Sequence, residues 1–358
     1  QQELGVVSDQ ALLPDRNFEQ NHAVKPWDEL TSMEKELFAR YQEIFAGMVD
    51  NVDQNFERFR DELERMGEWD NTIIVFTSDN GGSREGQELG TSAYFRTLLA
   101  FTGHTDLEST ELDYSRIDLL GGPRSLAHYP MGWAMASNTP FRLYKTNTHQ
   151  GGQQVPLIVH WEKGLSAGKE LRHQYQHVTD LLPTICELVG IDIPSSKGGE
   201  QLPPAAGKSF ASSLTDPSAE STHPEQYYEM IGHRGMYKDG WSASTIRQPE
   251  TVFSEEHWEL HDLRNDPTES EDLSEKYPEK VEYMKSLWEE MAWENQVYPL
   301  DEGNNVKNIL RPPWNEKLVQ EMVLHPGTPT VERWKSQQLI SFRNWSVEVE
   351  LDYKHIDQ

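Results

Sequence analysis

The chain has 358 residues, with 32 Lys plus Arg against 60 Asp plus Glu, so its formal net charge is -28. That balance excludes a nucleic acid or an anionic membrane as the main partner, because both require a basic face. An anionic small substrate stays open, since one lysine and a metal ion can reverse the field locally.

The length suits one large domain plus a smaller one. Cys186 is the single cysteine, so no intrachain disulfide forms. No run of about eighteen apolar residues is present to cross a membrane. The chain opens on Gln-Gln-Glu without a visible signal peptide. It reads as an excised or processed piece whose missing start would hold any targeting signal.

Residues 1–30 are polar and irregular. Thr31 or Ser32 is placed to cap a helix, with Glu34 and Lys35 in its first turn. Leu37, Tyr41, Ile44, Phe45, Met48, Val52, Phe56, Phe59, Leu63 and Met66 then recur at three- and four-residue steps. This spacing predicts a long amphipathic helix with its stripe in the core, stopped at Gly67. Ile73, Ile74, Val75 and Phe76 form an unbroken apolar run, which predicts a strand covered on both faces. Helix then strand is half of a βαβ unit.

The run stops at Ser78-Asp79-Asn80-Gly81-Gly82. In open α/β sheets, sites form beyond the carboxyl ends of strands. Asp79 offers a carboxylate and Asn80 an amide oxygen, the donors that Ca²⁺ and Mg²⁺ prefer. The glycines let backbone approach a ligand closely. The same residues are also ordinary turn chemistry, and most such turns bind nothing.

Residues 83–140 form a long irregular excursion carrying Arg84, Glu85, Arg96, Asp106, Glu108, Asp113, Arg116 and Asp118. An excursion of this kind is expected to cover the ligand end of the sheet and set specificity. Val155 to Trp161 reads as a second buried strand, entered through a tight turn at Gly151-Gly152 and preceded by Lys145 and His149. Taken alone, Lys145 reads as a solvated surface lysine and His149 as a loop histidine bonded to the backbone.

His177 to Val189 predicts a helix capped near Thr179 or Asp180 and stopped by Gly190, with Cys186 as a small buried hydrophobe. Residues 194–226 read as a polar linker. Short strands follow at Tyr227–Ile231 and Arg234–Tyr237, with a hairpin signal at Lys238-Asp239-Gly240-Trp241. A third strand is expected over Trp258–Leu263 and a helix over Pro278–Asn295. Residues 297–358 read as the opening strands of an incomplete β-rich domain, with a formal glycosylation acceptor at Asn344-Trp345-Ser346. The expected division is a catalytic α/β part over 1–222, a small antiparallel-sheet and helix unit over 223–296, and a linker with incomplete β-rich region over 297–358.

Four blocks carry a resemblance, in register over roughly residues 30–295. They are Asp70 to Gly81, Pro140 to Pro156, Asp180 to Ile191, and Trp258 to Leu273 with Asp266-Pro267. Together they resemble the sulfatase family of the alkaline-phosphatase-like superfamily, in particular the large bacterial arylsulfatases. The resemblance implies an α/β fold, with a mixed sheet sandwiched by helices, followed by a small α+β subdomain. It implies a sulfuric ester hydrolase with Asp79 and Asn80 as Ca²⁺ ligands (Ca²⁺ ahead of Mg²⁺) and Lys145 as the sulfate-binding, leaving-oxygen-stabilising group. His149 is implied only as a wall of the substrate site. A sulfate ester or sulfated glycan is the implied substrate, and a periplasmic or secreted location is implied.

The family's nucleophile is a formylglycine made from Cys or Ser in a Cys-x-Pro-Ser-Arg type motif, and no such motif is present. The family's paired amino-terminal aspartates and its upstream lysine and histidines are missing as well. The chain is therefore expected to be the middle and later part of a longer enzyme, inactive alone, with the missing amino-terminal segment as its partner. The alternatives are a phosphate or phosphonate monoester hydrolase of the same superfamily, and a non-catalytic remnant.

Overall fold

The computed structural model describes residues 1–9, 11–15, 24–94, 110–165, 170–247, 251–298, 300, 323–324 and 344–349. Within them the protein is a mixed α/β structure with antiparallel sheets. The strands expected at Leu339–Phe342 lie outside the described residues, as do Arg96, Asp106 and Glu108.

Helix α1 spans Ser32–Met66. Its start is a reciprocal cap, in which the Glu34 N–H donates to Thr31 Oγ1 at 3.2 Å and the Thr31 N–H donates to Glu34 Oε2 at 2.8 Å. Gly67 ends it at φ 73°, the left-handed cap that glycine adopts without strain. Only the amino-terminal part of the stripe is buried. Leu37, Phe38 and Tyr41 pack with Leu120, Tyr129, Met131 and Tyr144 in the first core. Met48, Val52 and Phe59 are more than half exposed, which corrects the expectation of a core stripe along the whole helix.

Strand β1 (Ile74–Thr77) pairs antiparallel with β2 (Leu157–His160), Ile74 opposite His160 and Thr77 opposite Leu157. Two expectations fail here. Both strands are partly exposed, with Phe76 at 48% and Ile158 at 57%, and among the described residues β1 has no parallel neighbour. A four-residue apolar run reports hydrophobicity but not how many layers cover it.

Between these strands lie α2 (Thr110–Tyr114), α3 (Met131–Asn138) and the single turn α4 (Gln150–Gln153). The Gly151-Gly152 turn is thus one turn of helix. Helix α5 (Leu181–Val189) ends at Gly190 with φ 71°, and Cys186 on it is half-buried rather than sealed in the core. The stretch read as a linker holds a short hairpin, β3 (Ser196–Lys197) with β4 (Glu200–Gln201), and helix α6 (Ala211–Thr215).

The second unit is a four-stranded antiparallel meander: β5 (Glu225–Met230), β6 (His233–Lys238), β7 (Trp241–Thr245) and β8 (Glu259–Asp262). It has one strand more than expected. Two-residue turns at Ile231-Gly232 (φ 48° and 91°) and Asp239-Gly240 (φ 46° and 80°) make its hairpins. Positive φ at both turn positions matches the right-handed twist of the strands. Helix α7 (Pro278–Glu294), with Pro278 in its first turn, lays Met284 and Trp288 on Met236, Trp258 and Leu260 to form the second core.

Candidate active site

The site is built where two loops interlock at the end of β1. The loop after β1 and the loop before β2 exchange backbone bonds. The Gly81 N–H donates to Gly152 O at 3.0 Å, and the Lys145 N–H donates to Gly82 O at 3.0 Å. Asn138 locks the joint, its Oδ1 accepting from the Gly82 N–H at 2.7 Å and its Nδ2 donating to Leu143 O at 3.0 Å. A Cβ on Gly81 would stand 1.7 Å from Gly151 O. Glycine is therefore required here for close approach of two backbones.

The interlock carries Lys145 to the same loop as Asp79 and Asn80. Asp79 is exposed and Asn80 half-buried. Asn80 Nδ2 donates to Gly81 O at 2.8 Å, which leaves its Oδ1 as the atom to meet a cation. These hard oxygen donors fit part of a Ca²⁺ set, which takes six to eight oxygens. Among the described residues no three-member ligand group includes Asp79.

Lys145 Nζ lies 2.8 Å from Glu85 Oε1. Glu85 Oε2 accepts from Ser83 Oγ, which itself lies 3.0 Å from His128 Nε2. The His128 ring stacks on Tyr94, with centroids 5.8 Å apart. Contact with His128, Lys145 and Ser83 outweighs burial and holds the Glu85 carboxyl down to about 2. Arg84 Nε donates to Thr146 Oγ1 at 3.3 Å, tying the two loops a third time.

His149 is fully buried, and its Nε2 lies 3.1 Å from Glu259 Oε2. It faces β8 and so ties the Lys145 loop to that strand. The same Glu259 oxygen meets His261 Nε2 at 3.3 Å, and the carboxylate takes two bonds from Arg142 at 2.5 and 3.1 Å. Arg142 and His149 flank Lys145, so one carboxylate grips its loop at both ends. Further ties reinforce the grip: Thr148 Oγ1 donates to Arg234 O at 2.9 Å, and the Gln150 N–H donates to Glu269 Oε2 at 2.8 Å.

The ligand atoms of His149, Glu259 and His261 lie within 4.8 Å of one another, a spacing a metal ion could use. The charges favour protons instead. His261 Nδ1 donates to Glu271 O at 2.8 Å, so Nε2 needs its own proton to face a carboxylate. Burial disfavours that proton, but the Glu259 bond and the fields of Glu269 and Glu259 raise the His261 pKa above its ordinary value. Burial likewise pushes Glu259 up, while bonds from His149, His261 and Arg142 outweigh it and hold the carboxyl far below its usual range. A dication here would face the Arg142 guanidinium on the same oxygen.

The comparisons bear on what this interlock belongs to. The family model described as Sulfatase matches residues 14–191, and that for the carboxyl-terminal part of N-sulphoglucosamine sulphohydrolase matches residues 142–296. The chain belongs to the sulfatase family. An uncharacterised sulfatase of Schizosaccharomyces pombe is 31% identical over 74% of this chain and 45% of its own length. An arylsulfatase of Klebsiella aerogenes is 26% identical over 58% of this chain and 41% of its own. An N-acetylglucosamine-6-O-sulfatase of Bacteroides thetaiotaomicron is 23% identical over 75% of this chain and 38% of its own. The chain thus spans less than half the length of these sulfatases. Its two family models overlap over 142–191, which includes the segment that Glu259 grips.

Nothing local in the sequence marks Ser83, Glu85 and His128 as neighbours of Lys145, or Arg142 and Glu259 as the pair that holds its loop. Glu85 stands five residues after Asn80, but nothing local marks its partner.

Proposed function

We propose that this chain contributes the sulfate-holding lysine and part of a Ca²⁺ site to a sulfuric ester hydrolase. Residues outside the chain supply the nucleophile, a formylglycine in the family. The observation that carries the reading is the interlock joining Lys145 to the Asp79–Asn80 loop through Gly82 and Gly152. A sulfate ester keeps a fixed negative charge, and more charge moves onto the bridging oxygen as the S–O bond breaks. The Lys145 ammonium stabilises that charge from a position set before reaction. A bound divalent cation would polarise the sulfuryl oxygens and align the nucleophile. Glu259, through Arg142 and His149, keeps the lysine loop from moving away.

The substrate class is an aryl sulfate or a sulfated glycan, the latter in line with the sugar sulfatase among its relatives. Such substrates suit a periplasmic or secreted enzyme. Assayed alone, the chain should show no turnover. The test is Lys145→Ala in the complete enzyme, with a generic aryl sulfate as substrate. The expected loss is on the order of 10²-fold or more in kcat, as for removal of one preorganised donor. Near-normal turnover would remove Lys145 from the site.

A further inference from the structure

Three polar groups from three separate segments converge on the Glu85 carboxylate. Lys145 Nζ lies 2.8 Å from Oε1, Ser83 Oγ donates to Oε2, and His128 Nε2 stands 3.8 Å from Oε2. We propose that this cradle is the subsite for the sulfuryl group, with Ser83 and His128 as binding residues beside Lys145 and Glu85 as a resident occupant that the substrate displaces. The inference rests on the sulfatase reading of Lys145 and adds to it the other walls of the anion site and what fills it beforehand.

The geometry supports displacement in three ways. The Glu85 carboxylate meets Lys145 through Oε1 and Ser83 through Oε2, and stays 3.8 Å from His128. The distance left to His128 is too long for a hydrogen bond. A sulfate ester brings three terminal oxygens, enough for one partner each. The His128 ring is already aimed, because its Nδ1 lies 2.9 Å from Tyr129 O while Nε2 faces the Ser83 hydroxyl.

Glu85 is also able to leave. Its side chain is 28% exposed and stands on a surface loop, so it can rotate into water without burying its charge. Lys145 is 29% exposed and can be reached from solvent. While Glu85 stays, its ionised carboxylate opposes any second anion at the ammonium.

The experiment measures binding of inorganic sulfate to the purified chain by calorimetry, at constant ionic strength set with sodium chloride. Glu85→Ala is expected to tighten sulfate binding by about tenfold or more. Adding Ser83→Ala or His128→Gln to that variant should reverse most of the gain. Unchanged or weaker binding in Glu85→Ala, including no binding by either protein, overturns the proposal. So does a gain that Ser83→Ala and His128→Gln leave untouched. Lys145→Ala separates the two claims. If sulfate binding survives that change, the sulfatase reading of Lys145 fails. If binding is lost while Glu85→Ala brings no gain, only the displacement idea fails. Far-ultraviolet circular dichroism confirms that each variant is folded.

Discussion

Arg142 and Glu259, 117 residues apart, meet through two hydrogen bonds of 2.5 and 3.1 Å, with Arg142 almost fully buried. The pair joins the loop that carries Lys145 to strand β8 of the four-stranded sheet. A buried charge left without its partner is expensive, far more so than the net worth of the intact pair. Glu259→Gln should therefore destabilise the protein by about 3–5 kcal/mol. Urea unfolding followed by tryptophan fluorescence measures it. A cost below about 1 kcal/mol would show that the grip is incidental.

The same cluster sets a pH window. Glu259 has a depressed folded pKa, so its contribution is present above the unfolded carboxyl value near ~4.3 and is lost as pH falls towards the folded value. His261 has a raised folded pKa. Its contribution is complete below the unfolded value near ~6.5 and is lost as pH rises through the folded one. The stability this cluster contributes should be greatest between about 4.5 and 6.5 and decline on the alkaline side. His261→Gln should flatten that alkaline decline specifically. A decline of the same size in the variant would assign it to another group.

Asp79→Ala in the complete enzyme should lose calcium and activity together. Asp79 is exposed at the end of β1, so the change leaves the fold intact. Elemental analysis of the dialysed protein gives the metal content directly. Unchanged calcium stoichiometry would count against Asp79 as a ligand.

The outer half of α1 predicts association. Met48, Val52 and Phe59 are 54%, 55% and 54% exposed and follow helical spacing, so they present one apolar band. Bands of this kind on a monomer's surface promote self-association. The substitutions Val52→Glu and Phe59→Glu should lower the sedimentation-average mass at equal concentration. They should leave the unfolding midpoint nearly unchanged, since little buried area is removed. A fall in stability of several kcal/mol would mean that the band is packed in solution.

How far the sequence could be read depends on the range of each interaction. The caps of α1 are local, so Thr31, Glu34 and Gly67 announce the helix ends directly. Asp239-Gly240 marks its hairpin for the same reason. Ile231-Gly232 does not, because a β-branched residue at positive φ goes against its own preference. The Asp79–Asn80 loop and Lys145 were marked as candidates by family resemblance alone. Their joining through Gly81, Gly82 and Gly152 was not, since backbone pairing between distant loops leaves no local periodicity. Glu85 and Glu259 stayed hidden because a carboxylate looks the same in sequence whether it faces water or a lysine. His149 gave no sign of its bond to Glu259 for a related reason. Its proximity to Lys145 along the chain says nothing about which way its ring turns.

The glycine interlock also limits how this site can diversify. A Cβ would come within 1.7 Å of backbone at Gly81, 2.2 Å at Gly151 and 2.1 Å at Gly152. Every replacement of glycine adds that atom, so these three codons are closed to drift whatever substrate is under selection. Ser83, Glu85 and His128 sit beside them on half-exposed positions. New specificities would then arise from residues outside this backbone joint, and a directed-evolution library gains most by leaving the three glycines fixed.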